Sequence, residues 1–151
     1  AIRTSCAAKA RVVAADEREA GERALLNLGH TFAHALEAEA GYGDVLLHGE
    51  AVAIGMTMAF ALSARLGLCA PEAAERVHAH LRHVGLPTSI DAVPPPPQWP
   101  AETLLAHMRQ DKKVQDGRLR FILARDIGAA FSSGAVPVDD VLEVLRRFGA
   151  A

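Results

Sequence analysis

Residues 48–66, HGEAVAIGMTMAFALSARL, are the strongest structural signal in this chain. Apolar and small side chains occupy nearly every turn, so a helix formed by them is apolar nearly all round. Such a helix has to be buried on most of its surface, and Gly67 follows it as a C-terminal stop. We therefore predict that residues 48–66 form the central helix of a helical bundle.

The flanking sequence predicts more helices around this central one. Apolar periodicity and stop residues place them at residues 3–15, 23–40, 71–85, 101–110 and 138–148. Residues 94–100 are rich in proline and predict a stiff connector without helix or strand. Residues 118–123 alternate like a strand, and residues 129–132 are placed to pair with them as a hairpin. The predicted fold class is mainly α, with a small β-hairpin.

Composition and charge limit the expected size, binding partners and location of the protein. A chain of 151 residues, 50% of them hydrophobic, is expected to form one domain, residues 1–151, with a substantial core. The net charge of -2 gives no reason to expect nucleic acid or an anionic membrane as a partner. Cys6 and Cys69 are too few for a disulfide framework and lack zinc-site spacing, so a cytoplasmic location is the expectation. The longest apolar run, residues 51–62, is too short to span a bilayer and is expected to be a buried helix, and we expect no signal peptide.

Three histidines are candidates for metal binding or proton transfer. His30 and His34 are spaced i and i+4, so on a helix both imidazoles project from one face. His48 opens the next helix, after a glycine-containing turn that folds the chain back. Imidazole suits zinc and also shuttles protons near neutral pH, but a buried histidine can equally be a core residue with a hydrogen-bond partner. The spacing alone leaves both interpretations open.

The other four histidines lie in polar, charged helical stretches. A solvated surface role is predicted for His78, His80, His83 and His107.

Several runs together resemble a known family. They are KARVV at residues 9–13, DERE at 16–19, RALLNLGHTFAHALE at 23–37, HGEAVAIGM at 48–56 and DKK at 111–113. In this order they resemble 3-dehydroquinate synthase, a member of the sugar phosphate cyclase superfamily. The resemblance covers essentially the whole chain and is most specific between Lys9 and Met56. It implies the helical C-terminal domain of that family.

The resemblance also implies a reaction. The family's enzyme is a phosphorus-oxygen lyase that converts 3-deoxy-D-arabino-heptulosonate 7-phosphate to 3-dehydroquinate and phosphate. This reaction belongs to the shikimate pathway, which leads to chorismate and the aromatic amino acids. Bound NAD transiently oxidises a secondary alcohol, phosphate leaves, the ketone is reduced, and the ring opens and recloses by an aldol step. A divalent metal, Zn²⁺ or Co²⁺, polarises the oxidised hydroxyl. A cytoplasmic homodimer is the expected form.

The family's functional residues carry over to matching positions. The resemblance implies that His30 and His48 are zinc ligands and that His34 is a catalytic proton shuttle. Glu19 matches a proton acceptor, although by itself it would be one charge in a solvated turn. The remaining matches are predicted to bind the sugar phosphate substrate, with only one of the last two reaching its carboxylate: Lys9, Arg23, Asn27, Lys112 and Lys113. For Lys9 and Arg23 the alternative is an exposed helix-surface cation.

The family's other half has no counterpart in this sequence. In the family, an N-terminal Rossmann-like domain binds NAD and supplies a glutamate as third zinc ligand. No glycine-rich strand-to-helix turn or run of alternating strands and helices occurs here. We therefore expect this chain to hold an incomplete metal site and to show little or no turnover alone. Glu50 follows His48 and is expected to orient its ring or to cap the helix.

Alternatives to dehydroquinate synthesis remain open. Relatives that cyclise other sugar phosphates, the 2-deoxy-scyllo-inosose and valiolone synthases, share much of the pattern. A non-catalytic helical module that binds metal or dimerises is a second alternative, which the retained set of site residues disfavours. A hydrolytic metal site using Glu50 is a third, but it lacks the His-Glu-x-x-His spacing.

Overall fold

The computed structural model describes residues 2–16, 21–110 and 119–151. The helices are α1 (Ile2–Ala15), a 3-10 helix (Glu22–Asn27), α2 (His30–Glu39), α3 (His48–Arg65), α4 (Pro71–His83), a second 3-10 helix (Ile90–Ala92), α5 (Ala101–Gln110) and α6 (Val138–Arg147). The strands β1 (Phe121–Asp126) and β2 (Ala129–Ser133) form a two-stranded antiparallel sheet. The predicted class, mainly α with a small hairpin, is confirmed.

Helix α3 lies at the centre, as predicted. Ile54, Met58 and Leu62 are fully buried, because α2, α4, α6 and β1 all pack against this helix. Packing against four neighbouring elements explains why its sequence lacks a continuous polar face. Within the described ranges, no helix combines the length and apolar character needed to cross a bilayer.

The prediction of one continuous helix over residues 23–40 is wrong. The 3-10 helix ends at Asn27, and α2 begins at His30, after Gly29 adopts a φ of +83°. The cause is a close backbone approach: a Cβ on Gly29 would overlap the backbone of Gly55 and Met56, and a Cβ on Gly55 would overlap the carbonyl of Gly29. The chain has to turn here to bring the start of α2 against the middle of α3.

The hairpin differs from its predicted extent. The predicted first residue, Arg118, lies outside the described residues; the strand begins at Phe121 and continues to Asp126. Phe121 pairs with Ser133 across the ladder, and its ring lies 5.5 Å from that of Phe32 on α2. The hairpin therefore closes one side of the core.

The proline-rich connector is held by the residues that follow α6. Residues 94–100 contain no helix or strand, as predicted. The N–H of Ala151 donates to the Trp99 carbonyl at 2.8 Å, and the N–H of Ile90 donates to the Phe148 carbonyl at 2.8 Å. These backbone hydrogen bonds fix an otherwise irregular segment against the bundle.

Ser63 links the central helix to the hairpin and yields a stability prediction. Its fully buried hydroxyl donates to the Ala59 carbonyl at 2.7 Å and accepts from the Ala124 N–H at 3.0 Å. Ser63→Ala removes the acceptor from this buried N–H, so we expect the free energy of unfolding to fall by about 1–3 kcal/mol. Urea unfolding measures the loss. Ser132→Ala, at an exposed position in β2, should change stability by about 0.5 kcal/mol or less; equal losses would show that the Ser63 bridge contributes little.

Candidate metal centre and substrate cleft

The structure brings His30, His34 and His48 together. His30 and His34 lie one turn apart at the start of α2, and their ring centroids are 5.6 Å apart. His48 is the first residue of α3, and its ring centroid lies 5.8 Å from that of His30. His30 is therefore adjacent to both other imidazoles, and the three rings form a histidine cluster at the ends of two packed helices.

In two of these rings, Nδ1 lies against an oxygen acceptor of the protein. The Nδ1 of His48 lies 2.9 Å from Oε1 of Glu37, and the Nδ1 of His30 lies 3.4 Å from the Leu28 carbonyl. Carboxylate and carbonyl oxygens only accept, so a hydrogen bond to either of them places a proton on Nδ1, and in the neutral imidazole the lone pair is then on Nε2. Imidazole Nε2 atoms held in this way match the donors that zinc uses in proteins.

Two imidazoles do not complete a metal site. In residues 2–16, 21–110 and 119–151, no group of three or more His, Cys, Asp or Glu is placed to hold a metal ion. Zinc sites in proteins use three or four protein ligands. A site built on His30 and His48 therefore needs at least one ligand from outside these described residues.

Glu50 caps the helix, one of the two roles expected for it, while the other role, contact with the His48 ring, belongs to Glu37. The Glu50 carboxylate accepts from the backbone N–H of Leu47 at 2.9 Å, so Glu50 caps α3. Glu37 instead bonds to His48, a contact that was not predicted from the sequence. A signal existed: Glu37 follows His30 and His34 at i+7 and i+3, which places all three on one helix face.

A cleft of about 480 Å³ opens beside the cluster. Its polar lining residues come from α2, α3, α5 and the turn after α2: Thr31, His34, Glu37, Tyr42, His48, His107 and Gln110. This volume lies within the range of small-molecule sites. The cleft places His34 where a bound molecule would touch it.

The predicted surface role of His107 is wrong. Its Nε2 lies 2.8 Å from Oε2 of Glu39, and its side chain is only 28% exposed. The reason is that α5 packs across α2, which brings the last turn of α5 against the end of α2. His80 and His83 are exposed as predicted, whereas His78, also exposed, bonds to the buried Thr88 hydroxyl at 2.9 Å.

The predicted substrate-binding residues fall into two groups. Arg23 and Asn27 are half-buried in the 3-10 helix that leads to His30. Its start is fixed by Asp16, whose carboxylate accepts from the backbone N–H of Arg23 at 3.0 Å. Lys9 is exposed on α1, which packs against the 3-10 helix and buries none of its residues. Their proposed contacts with substrate remain predictions.

Three further predicted residues, Glu19, Lys112 and Lys113, lie outside the described residues. Their roles remain predictions from the resemblance.

One thiol has a perturbed pKa. Burial raises the pKa of Cys69, and the negative charge of Asp126 raises it further. Cys69 packs with Phe60, Ala73 and Ala124 in a small apolar cluster, which is the setting of an inert structural cysteine.

Comparison with known sequences identifies relatives along most of the chain. The family profile described as "3-dehydroquinate synthase C-terminal" matches residues 1–114. A 3-dehydroquinate synthase of Rhodospirillum rubrum is 60% identical over 146 residues, covering 97% of this chain and 38% of the relative. One from Ruegeria sp. is 60% identical over 147 residues, covering 97% of this chain and 39% of the relative. The chain thus spans about two fifths of the length of these relatives.

Solved structures show the same fold. A 2-epi-5-epi-valiolone synthase from Streptomyces hygroscopicus subsp. jinggangensis, with NAD⁺ and Zn²⁺ bound, matches 81% of this chain and 32% of its own, at a TM-score of 0.67 and 27% identity. A 2-deoxy-scyllo-inosose synthase complexed with carbaglucose-6-phosphate, NAD⁺ and Co²⁺ matches 97% of this chain and 40% of its own, at a TM-score of 0.78 and 22% identity.

Proposed function

The chain belongs to the 3-dehydroquinate synthase C-terminal family, and on that premise we propose that residues 1–151 are the metal- and substrate-binding domain of a sugar phosphate cyclase. Its reaction is the conversion of 3-deoxy-D-arabino-heptulosonate 7-phosphate to 3-dehydroquinate and phosphate. An N-terminal domain of the family type binds NAD and completes the site. The observation that carries this proposal is the cluster of His30, His34 and His48, with ring centroids 5.6 and 5.8 Å apart.

His30 and His48 hold the metal in this proposal, each through Nε2. The fit rests on their Nδ1 atoms, which the Leu28 carbonyl and the Glu37 carboxylate occupy. When bound, the metal supplies Lewis acid chemistry that polarises a substrate hydroxyl. NAD, held mainly by the N-terminal domain, supplies the transient oxidation that acidifies the neighbouring C–H.

The other residues bind substrate and move protons. His34 lies one turn from His30 and lines the cleft, so it transfers a proton to or from the substrate beside the metal. Arg23 precedes the cluster and offers a bidentate fork to phosphate or carboxylate, while Asn27 offers a neutral donor and acceptor. Lys9 and one of Lys112 and Lys113 add point charges, and Glu19 accepts a proton.

A second candidate is another cyclase reaction on the same site. The observation that favours it is the 27% identity to a valiolone synthase with NAD⁺ and Zn²⁺ bound. That enzyme contains a similar domain and binds the metal and the cofactor that we propose for this chain. The 60% identity to dehydroquinate synthases favours the first candidate more strongly. Both candidates need the histidine cluster, so substrate tests separate them.

The test uses a fusion protein, in which residues 1–151 follow the N-terminal part of the Rhodospirillum rubrum relative. Phosphate release from 3-deoxy-D-arabino-heptulosonate 7-phosphate is measured with NAD and zinc or cobalt, for the fusion protein and for this chain alone. We expect release by the fusion protein and none above background by the chain alone, because the chain provides only part of the site.

The negative outcomes discriminate between the candidates. Release from the substrates of valiolone or 2-deoxy-scyllo-inosose synthase, but not from the heptulosonate, would support the second candidate. No release from any of them by a folded, metal-loaded fusion protein would contradict both and favour a non-catalytic module.

A further inference from the structure

Glu37 joins the two helices that carry the histidine cluster. Its Oε1 lies 2.9 Å from Nδ1 of His48, and its side chain is only 15% exposed, whereas that of His48 is 62% exposed. Glu37 is thus the more fixed partner, and the His48 ring is held from one side by a carboxylate on α2. An exposed imidazole is free to rotate unless a hydrogen bond or a packing contact fixes its ring.

We propose that Glu37 is a positioning residue that sets the metal affinity of His48. This inference rests on the proposed metal role of His48. Because the carboxylate only accepts, it keeps the proton on Nδ1 and the lone pair on Nε2. Its negative charge also makes Nε2 a stronger electron donor, and the bond fixes the ring plane before the metal arrives. Such partners commonly change metal affinity about 10–100-fold.

The chain contains a matched control for this role. Glu39, two positions further along α2, makes a similar bond to His107, with Nε2 and Oε2 2.8 Å apart. Its side chain is 23% exposed, so it resembles Glu37 in type, burial and partner. His107 is not a proposed metal ligand. Loss of Glu39 therefore reproduces the loss of a glutamate–histidine pair without touching the proposed metal centre.

The experiment measures zinc dissociation constants of the fusion protein by competition with a chromophoric chelator. We expect Glu37→Ala to weaken zinc binding about 10–100-fold, and Glu37→Gln, which keeps an oxygen acceptor, to weaken it less. Glu39→Ala should leave the constant unchanged. Nitrogen NMR shifts of the metal-free protein should show the His48 proton on Nδ1 in the parent and in Glu37→Gln, and shared between both nitrogens in Glu37→Ala.

His48→Ala distinguishes failure of the inference from failure of the proposed function. If His48→Ala weakens zinc binding and Glu37→Ala does not, the positioning role of Glu37 is overturned while the metal role of His48 stands. If His48→Ala has no effect, the proposed metal role fails and the inference fails with it. Equal losses in Glu37→Ala and Glu39→Ala would also overturn the inference, because they would indicate a general effect on α2. Thermal unfolding confirms that each variant is folded.

Discussion

We expect His30→Ala in the fusion protein to abolish both zinc retention and phosphate release, and His34→Ala to slow phosphate release without loss of zinc. The two residues lie one turn apart on α2, with ring centroids 5.6 Å apart, so the variants disturb the same helix to a similar extent. They differ in role: His30 is a proposed zinc ligand, and His34 is the proposed proton shuttle facing the cleft.

The expected magnitudes follow from those roles. Loss of a ligand should weaken zinc binding by more than the ~10–100-fold expected for loss of an orienting partner, and phosphate release should fall below detection. Loss of the proton shuttle should slow phosphate release about 10²–10⁴-fold, with zinc binding unchanged. Zinc content after dialysis and initial rates of phosphate release measure the two effects.

His83→Ala serves as the control, because His83 is exposed at the end of α4. It should leave both quantities unchanged. A His34→Ala protein that loses zinc as completely as His30→Ala would contradict the division of roles. A His30→Ala protein that retains zinc and activity would contradict the metal centre itself.

Gly29→Ala is expected to destabilise the bundle strongly. Gly29 has a φ of +83°, and an added Cβ would lie 2.7 Å from the Gly55 carbonyl carbon and closer still to the Met56 nitrogen. Backbone atoms inside two packed helices cannot move aside without separating α2 from α3. Left-handed strain and overpacking together predict a loss of about 3–5 kcal/mol in the free energy of unfolding.

Gly67→Ala separates these two contributions. Gly67 also has a positive φ, +68°, but an added Cβ there would meet nothing within 4 Å. We expect Gly67→Ala to lower the free energy of unfolding by about 1–2 kcal/mol, from backbone strain alone. Urea unfolding of both variants measures the difference. Equal losses would show that the backbones of α2 and α3 are not as close at Gly29 as the structure places them.

The same close approach shows where prediction from sequence reached its limit. Helix α3 and the i, i+4 pair of His30 and His34 were predictable, because apolarity and helical spacing are local properties. The break at Gly29 was not, because its cause is Gly55, in a different helix. The residues next to a glycine in an apparently helical run do not indicate that another backbone will pack against it.

The candidate site was likewise predictable only in part from the sequence. The resemblance assigned roles to residues, but the partners of His48 and His107 depend on how α2 packs against α3 and α5. For this reason Glu37 was missed, and His107 was wrongly predicted to be solvated. Composition and spacing describe which groups a chain carries, whereas helix packing decides which of them meet.

Locating zinc in crystals of the fusion protein, by anomalous scattering at the zinc edge, tests the proposed metal centre most directly. The predicted result is a zinc ion about 2.0–2.1 Å from Nε2 of His30 and of His48, with a further protein ligand from the N-terminal part and His34 beside the metal without binding it. Zinc bound elsewhere, or bound without His30 and His48, would contradict the proposed function.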